Sequence, residues 1–211
     1  MRIDSPGVGA AGAVADLWVA LADEQRAHGS HLLTAPNRAT IREAIVRHAV
    51  TDGLLVARTD PERDGEDHGA DGEHGSGADA AGGSDDRDAG TRAIRGPEDP
   101  ERRDDPGSSE DAADTEDGLL GFVMFGPETG RYAQDVSRGV VRNLYVRPDC
   151  RGEGVGAALL GAAEAALADR GVEVVALESM AGNGAARRFY RRRGYTPHRV
   201  ELERTLESDN E

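Results

Sequence analysis

The chain is 211 residues long with a formal charge of −15 at pH 7, and that charge is unevenly spread. Residues 60–117 carry 21 Asp and Glu against 6 Arg, whereas the other 153 residues hold 19 acids and 19 bases. Those 153 residues make one ordinary domain, which excludes a second folded domain, and no apolar run approaches the roughly 20 residues that a membrane span requires.

Residues 60–117 are almost entirely Asp, Glu, Gly, Ala, Arg, Pro and Ser, with Ile94 the only large aliphatic side chain. So little apolar surface cannot offset the entropy of ordering the segment. The expectation is a disordered acidic insert at 60–117 that divides one domain into an N-terminal part, 1–59, and a C-terminal part, 118–211. The opening residues lack a basic start followed by an apolar stretch and cleavage site, so a soluble, cytoplasmic protein is expected. Cys150 is the single cysteine, which excludes an internal disulfide and any multi-cysteine metal site, and no metal is expected. All 25 basic residues are Arg, as a G- and C-rich genome or adaptation to concentrated salt would produce.

In chain order, Val14, Leu17, Trp18 and Leu21 recur at helical spacing and predict an amphipathic helix over about Ala10 to Ala27. Thr40 followed by Glu43 reads as a capping box opening a second helix, with Ile41, Ala44 and Ile45 inward. Leu54 to Thr59 and Leu119 to Phe125 read as strands that pair across the insert, because the cost of closing a loop grows only with the logarithm of its length. Strands at Val140 to Val146 and Val172 to Glu178 alternate with helices at about Gly154 to Arg170 and Gly184 to Arg193. That alternation implies a βαβ crossover and a parallel pair, so the fold class is α/β with a mixed central sheet. A final strand is expected at about Arg199 to Leu206, while Arg2-Ile3 is too short to assign.

Between one strand and the next helix lie Arg151-Gly152-Glu153-Gly154-Val155-Gly156. Glycines there permit a tight turn whose backbone N–H groups converge on one anion at a helix N-terminus. The same glycines also suit a bare strand-to-helix turn with no ligand. Glu178 closes an otherwise apolar strand, where ligands of open α/β sheets collect. Asn183 and Tyr190 are two helical turns apart on one face, with Ala185 and Phe189 as the adjacent inward pair. Asn183 also has the chemistry of a plain N-cap, and Tyr190 that of a core tyrosine.

The stretch Asn143-Leu144-Tyr145-Val146-Arg147-Pro148 followed by Arg151 to Gly156 resembles the acetyl-CoA motif of the GNAT superfamily of N-acetyltransferases. Its pattern of Gln or Arg, two residues, Gly, one residue, Gly or Ala is met by Arg151, Gly154 and Gly156. Asn183, Ala186, Phe189-Tyr190 and Gly194-Tyr195 resemble the second motif of that family. The resemblance implies a GNAT-like sheet flanked by helices and transfer of an acetyl group from acetyl-CoA to a primary amine in a ternary complex. It implies that Arg151, Gly152, Glu153, Gly154, Val155 and Gly156 hold the pyrophosphate and Leu144, Tyr145 and Val146 the pantetheine arm, with Asn183 at the cofactor side. The Leu177-Glu178 to Tyr190 spacing is similar to that of the branch acetylating the N-terminal alanine of a ribosomal protein, which implies Glu178 as base and Tyr190 as acid toward the leaving thiolate.

One departure stands out: Arg142 occupies a position where many family members carry a glutamate. The departure supports Glu178 as base, an acceptor amine already partly neutral, or an acidic acceptor bound by Arg142. A non-catalytic acyl-CoA sensor of the same fold is the alternative function. Arg187, Arg188, Arg191, Arg192 and Arg193 crowd one helix, but a helix C-terminus favours cations and the acidic insert repels phosphate backbones, so nucleic acid is disfavoured as a partner. Arg187 is within reach of a CoA phosphate by spacing. His68 and His74, among acids of the insert, read as solvated linker rather than a cation site. Glu24, His28 and His31 read by default as exposed polar loop residues, which the resemblance would place at the rim of the acceptor pocket; Cys150 reads as incidental, and a homodimer is compatible with the family.

Overall fold

The computed structural model describes residues 1–60, 118–130 and 133–206. The acidic insert, with His68, His74 and Ile94, lies outside the described residues apart from Asp60. The elements are β1 (Arg2–Asp4), α1 (Ala11–Arg26), α2 (Arg38–Val50), β2 (Leu54–Arg58), β3 (Leu119–Pro127), β4 (Arg138–Val146), α3 (Val155–Ala168), β5 (Val174–Leu177) and α4 (Gly184–Arg191). The five strands form one sheet in chain order, antiparallel from β1 to β4 and parallel between β4 and β5. The mixed sheet and the β2–β3 hairpin, Leu54 opposite Met124, are as expected.

Period-two alternation sorts the strand side chains into two apolar layers. Phe122, Met124, Leu54 and Val56 pack with Val14, Trp18 and Ile45 of α1 and α2. Val123, Phe125 and Ala57 pack with Leu159, Leu160 and Leu167 of α3. On α1, Val14 and Trp18 are buried as expected, Leu17 and Leu21 flank them partly buried, and Ala11, Ala15 and Ala22 complete the stripe.

Three expectations need correction here. The Thr40–Glu43 capping box does not form: α2 starts at Arg38, directly after a turn of 3₁₀ helix at Ala35–Asn37. Pro36 sets the φ of that turn, so the helix is already under way at Thr40. The Asn37 side chain at the cap position donates to the Leu33 carbonyl instead, at 2.6 Å. Arg2–Asp4 is an edge strand on β2, held by Asp4 against Arg2 at 3.0 Å and against the buried Arg58 at 3.6 Å. The strand expected at Arg199 to Leu206 is absent: those residues form no sheet pairing and are exposed.

Gly121 on β3 lies opposite Val146 on β4. A Cβ there would overlap the Tyr145 carbonyl oxygen and sit 3.1 Å from the Val146 Cα and 3.3 Å from Leu159 Cδ1. Because two of those three neighbours are backbone, Gly121→Ala is expected to cost about 1–3 kcal/mol, the usual range for overpacking. Thermal unfolding should therefore begin several degrees lower, whereas an unchanged midpoint would mean that the two strands separate freely.

Candidate functional site

Pairing between β4 and β5 runs only from Arg138 opposite Val174 to Val141 opposite Leu177. Beyond that point β4 continues through Val146 paired with β3 alone, so one edge of its last five residues faces an opening between diverging strands. The divergence begins at a bulge: Phe125 pairs with Val141 and Met124 with Asn143, which leaves Arg142 as the extra residue, exposed. Leu144 and Val146 are half-buried toward the α3 layer, whereas Tyr145 is buried toward α1.

From Val146 the chain passes through a 3₁₀ turn at Pro148–Cys150 into the glycine loop. Gly152 and Gly154 have φ of +90° and +88°, in the left-handed region where L side chains are strained. A Cβ at either would meet nothing within 4 Å, so backbone shape rather than crowding requires glycine at both. Gly154 caps α3 without a side-chain bond, which leaves the first N–H groups of this 14-residue helix, at Val155, Gly156 and Ala157, without intrahelical partners. Gly156 faces the other way: its Cβ would lie 3.4 Å from Val146 Cγ2 and 3.6 Å from the Phe189 ring. That contact brings the ends of β4, α3 and α4 together.

Arg151 is fixed from three sides. Its Nη2 donates to both Glu24 carboxylate oxygens at 2.8 Å, its Nε donates to the Val146 carbonyl at 2.9 Å, and its guanidinium lies 5.5 Å from the centroid of the Tyr145 ring. The Tyr145 hydroxyl donates to Glu24 Oε1 at 3.2 Å, and burial, then the Glu24 charge, pushes that phenol up. Glu24 is thus more than a rim residue, since it ties α1 to the glycine loop. Its signal in the sequence was present: Leu17, Leu21 and Glu24 continue one helical stripe, so a carboxylate extends an apolar face. Glu153 is exposed, His28 is half-buried, and His31 contacts Glu203 at 3.3 Å on the surface.

Glu178 directly follows β5, at the end where that strand leaves β4, and is exposed. The loop after it runs beside the end of α1, with Gly182 placing a Cβ position 3.3 Å from the His28 carbonyl. Asn183 caps α4, its Oδ1 accepting from Ala186 N at 2.9 Å. Tyr190 packs edge-on against Phe189 and Tyr195, with centroids 5.2 and 5.8 Å away. Its hydroxyl has no hydrogen-bond partner among the described residues, and burial pushes its pKa up. The expected inward pair of Ala185 and Phe189 is corrected: Ala185 is exposed, and Phe189 and Tyr190 are the α4 residues packed against the α3 layer. Tyr195 donates to Glu164 at 2.6 Å and anchors the end of this aromatic row on α3.

The remaining candidates are held elsewhere. Arg187 donates to the Ala181 carbonyl at 3.1 Å, and Arg193 stacks 3.8 Å from the Phe189 centroid. Burial raises the Cys150 thiol, so it is not an activated thiolate. Among the described residues no group of three or more His, Cys, Asp or Glu is placed to hold a metal. A cleft of about 450 Å³ lies on the α1 side of Tyr145, lined by Ala13, Leu17, Ala20 and Leu119. Its charged members are already engaged, Asp16 by Arg38 at 2.7 Å and Arg147 by Asp149 at 2.7 Å.

A family model described as the Acetyltransferase (GNAT) family matches residues 85–195, just over half of the chain. A GCN5-related N-acetyltransferase from Ralstonia eutropha JMP134 superposes with a TM-score of 0.55 at 18% identity, covering 97% of this chain and 96% of that one. A tetramutant protein from Bacillus halodurans superposes with a TM-score of 0.59 at 13% identity, covering 98% and 100%. At these identities the superpositions speak for the fold. No curated protein matches the sequence.

Proposed function

This chain belongs to the GNAT family of acetyltransferases, and from that premise we propose that it transfers the acetyl group of acetyl-CoA directly to a primary amine, with Glu178 and Tyr190 as its proton-transfer residues. The observation that carries this reading is the coincidence of two features. β4 loses its β5 partner after Val141, and the freed strand leads straight into the uncapped, glycine-shaped N-terminus of α3.

The N–H groups of Gly152 to Gly156 suit the pyrophosphate, because unpartnered donors and the positive end of a helix dipole favour an anion. The free edge of Leu144 to Val146 suits the amide groups of the pantetheine arm, and the bulge at Arg142 turns that edge toward the opening. Arg151 is committed to Glu24 and Val146, so in this reading it shapes the loop while backbone donors meet the charge. Asn183 acts through its cap, which sets the start of α4 and hence the placing of Tyr190.

Glu178, at the end of β5, takes the ammonium proton directly or through water; the amine attacks the thioester carbon and the C–S bond breaks. Tyr190 returns a proton to the leaving sulfur. The Glu178–Tyr190 spacing, and Arg142 in place of a carboxylate on β4, favour an α-amino acceptor such as a peptide N-terminus, with lysine and small amines as further substrates to screen.

The first test is calorimetric titration of acetyl-CoA into the full chain at moderate and at molar potassium chloride. Saturable one-to-one binding is expected, followed by CoA release when peptides and amines are added. Binding confined to molar salt would support adaptation of the acidic chain to high salt. Binding without release to any amine would favour the acyl-CoA sensor, and absence of binding by folded protein would overturn the assignment of the cradle.

A further inference from the structure

β4 and β5 part after Val141 and Leu177, and continuing their parallel register puts Arg142 beside Glu178 as the first residues beyond the last pair. Val141 and Leu177 both belong to the apolar layer on α3. Period-two alternation therefore turns Arg142 and Glu178 to the other face of the sheet, the one packed by α1 and α2. The electrostatics of α2 agree for Arg142. Burial lowers the pKa of His48, and the positive charges of Arg142 and Arg47 lower it further, against the opposing hydrogen bond with the Phe125 carbonyl. Arg142 is thus within electrostatic reach of α2, where the opening beside Leu144 to Val146 begins.

Opposite charges at neighbouring positions, on strands roughly 5 Å apart, ordinarily bond each other. Here they do not: Arg142 and Glu178 are exposed, and neither has a hydrogen bond or ion pair among the described residues. Both charges are therefore open to a molecule that enters between the strands. An acceptor rich in further amines meets the repulsion of Arg142 and Arg47, and one that is only anionic meets that of Glu178. An amine with a carboxylate close by satisfies the two side chains together.

We propose that Arg142 selects the acceptor: its guanidinium binds a carboxylate carried beside the acceptor's α-amino group, while Glu178 faces the amine. The inference rests on acetyl transfer as proposed above and names its acceptor class. That class is an α-amino compound with a nearby carboxylate, either the α-carboxylate of a free amino acid or an acidic side chain at the start of a peptide. A guanidinium suits this task because it meets both oxygens of a carboxylate at once.

The test compares two matched pairs of acceptors on the full chain and on Arg142→Gln. One pair is alanine and alaninamide; the other is two C-terminally amidated tetrapeptides that differ only in Glu or Gln at the second residue. Arg142 is exposed, and circular dichroism with acetyl-CoA titration checks that the variant folds and keeps its cofactor site. The ratio of kcat/KM for the charged over the neutral member is expected to fall roughly tenfold or more in the variant, mainly through KM of the acceptor. Comparing that ratio between parent and variant cancels the different basicities of the amines. A fall confined to the alanine pair identifies free amino acids as the acceptors, and one confined to the peptide pair identifies acidic peptide N-termini. Ratios unchanged in both pairs would overturn the proposal, as would an equal loss for all four acceptors, which would make Arg142 a support of the sheet. Should acetyl-CoA bind and no acceptor be turned over, acetyl transfer fails, and titration of the same compounds into the CoA-bound chain decides the carboxylate site. Binding of the charged members that Arg142→Gln abolishes upholds it, and absence of such binding overturns it.

Discussion

Replacing Tyr190 with Phe is expected to lower kcat by about 10²-fold or more while changing KM for acetyl-CoA by no more than about twofold. The structure makes this substitution clean. The Tyr190 hydroxyl has no partner among the described residues, so its removal breaks no internal hydrogen bond, and the ring contacts with Phe189 and Tyr195 survive in Phe. Stability should therefore hold while chemistry fails. Burial pushes the phenol up, and the apolar surroundings that raise it also disfavour a naked thiolate, so in the proposed mechanism the proton would pass to sulfur as the C–S bond breaks. Steady-state kinetics with a responsive amine, read beside the thermal midpoint, decides the matter. Equal losses in kcat and in acetyl-CoA affinity would recast Tyr190 as part of the binding wall, and an unchanged kcat would remove it from the reaction.

What could be read in advance was whatever depends on near neighbours in the chain. The glycine loop is such a feature: Gly152 and Gly154 need positive φ, and a strand followed by glycines and an apolar helix announces that geometry locally. The β2–β3 pair was legible despite the residues between, because each strand carries its own apolar run and turn signals. Features made by pairing were not. The bulge at Arg142 exists only in the register between β3 and β4, and β1 is a strand only because Ile3 finds Ala57. The Glu24–Arg151 bond joins residues 127 apart in the chain, with only an acid on an apolar stripe to hint at it. At Thr40 a sound local signal lost to Pro36, which had already started the helix. The opposite happened at Val200 to Leu206, where Val200, Leu202 and Leu206 alternate with polar residues, interrupted by Arg204, and no strand among the described residues receives them.

Glu178→Gln is expected to lower kcat/KM near neutral pH by about tenfold for an α-amino acceptor with a pKa near 8 and by about 10³-fold for a lysine side chain, and to change the shape of the pH profile. Attack requires a free lone pair on the acceptor nitrogen, and β4 offers Arg142 rather than a carboxylate at its bulge, so the end of β5 is where the opening is flanked by an acid. Without that acid only amine already neutral in solution reacts, and its fraction grows about tenfold per pH unit below the amine pKa. The rate of the variant should climb with pH and approach that of the parent near that pKa, so the deficit is largest in acid and smallest in base. A deficit constant across pH would mean that Glu178 positions the acceptor rather than accepting its proton. Equal rates throughout would mean that the acceptor arrives neutral, which an α-amino group with a pKa near 8 does far more readily than a lysine side chain, and would move the search toward peptide N-termini.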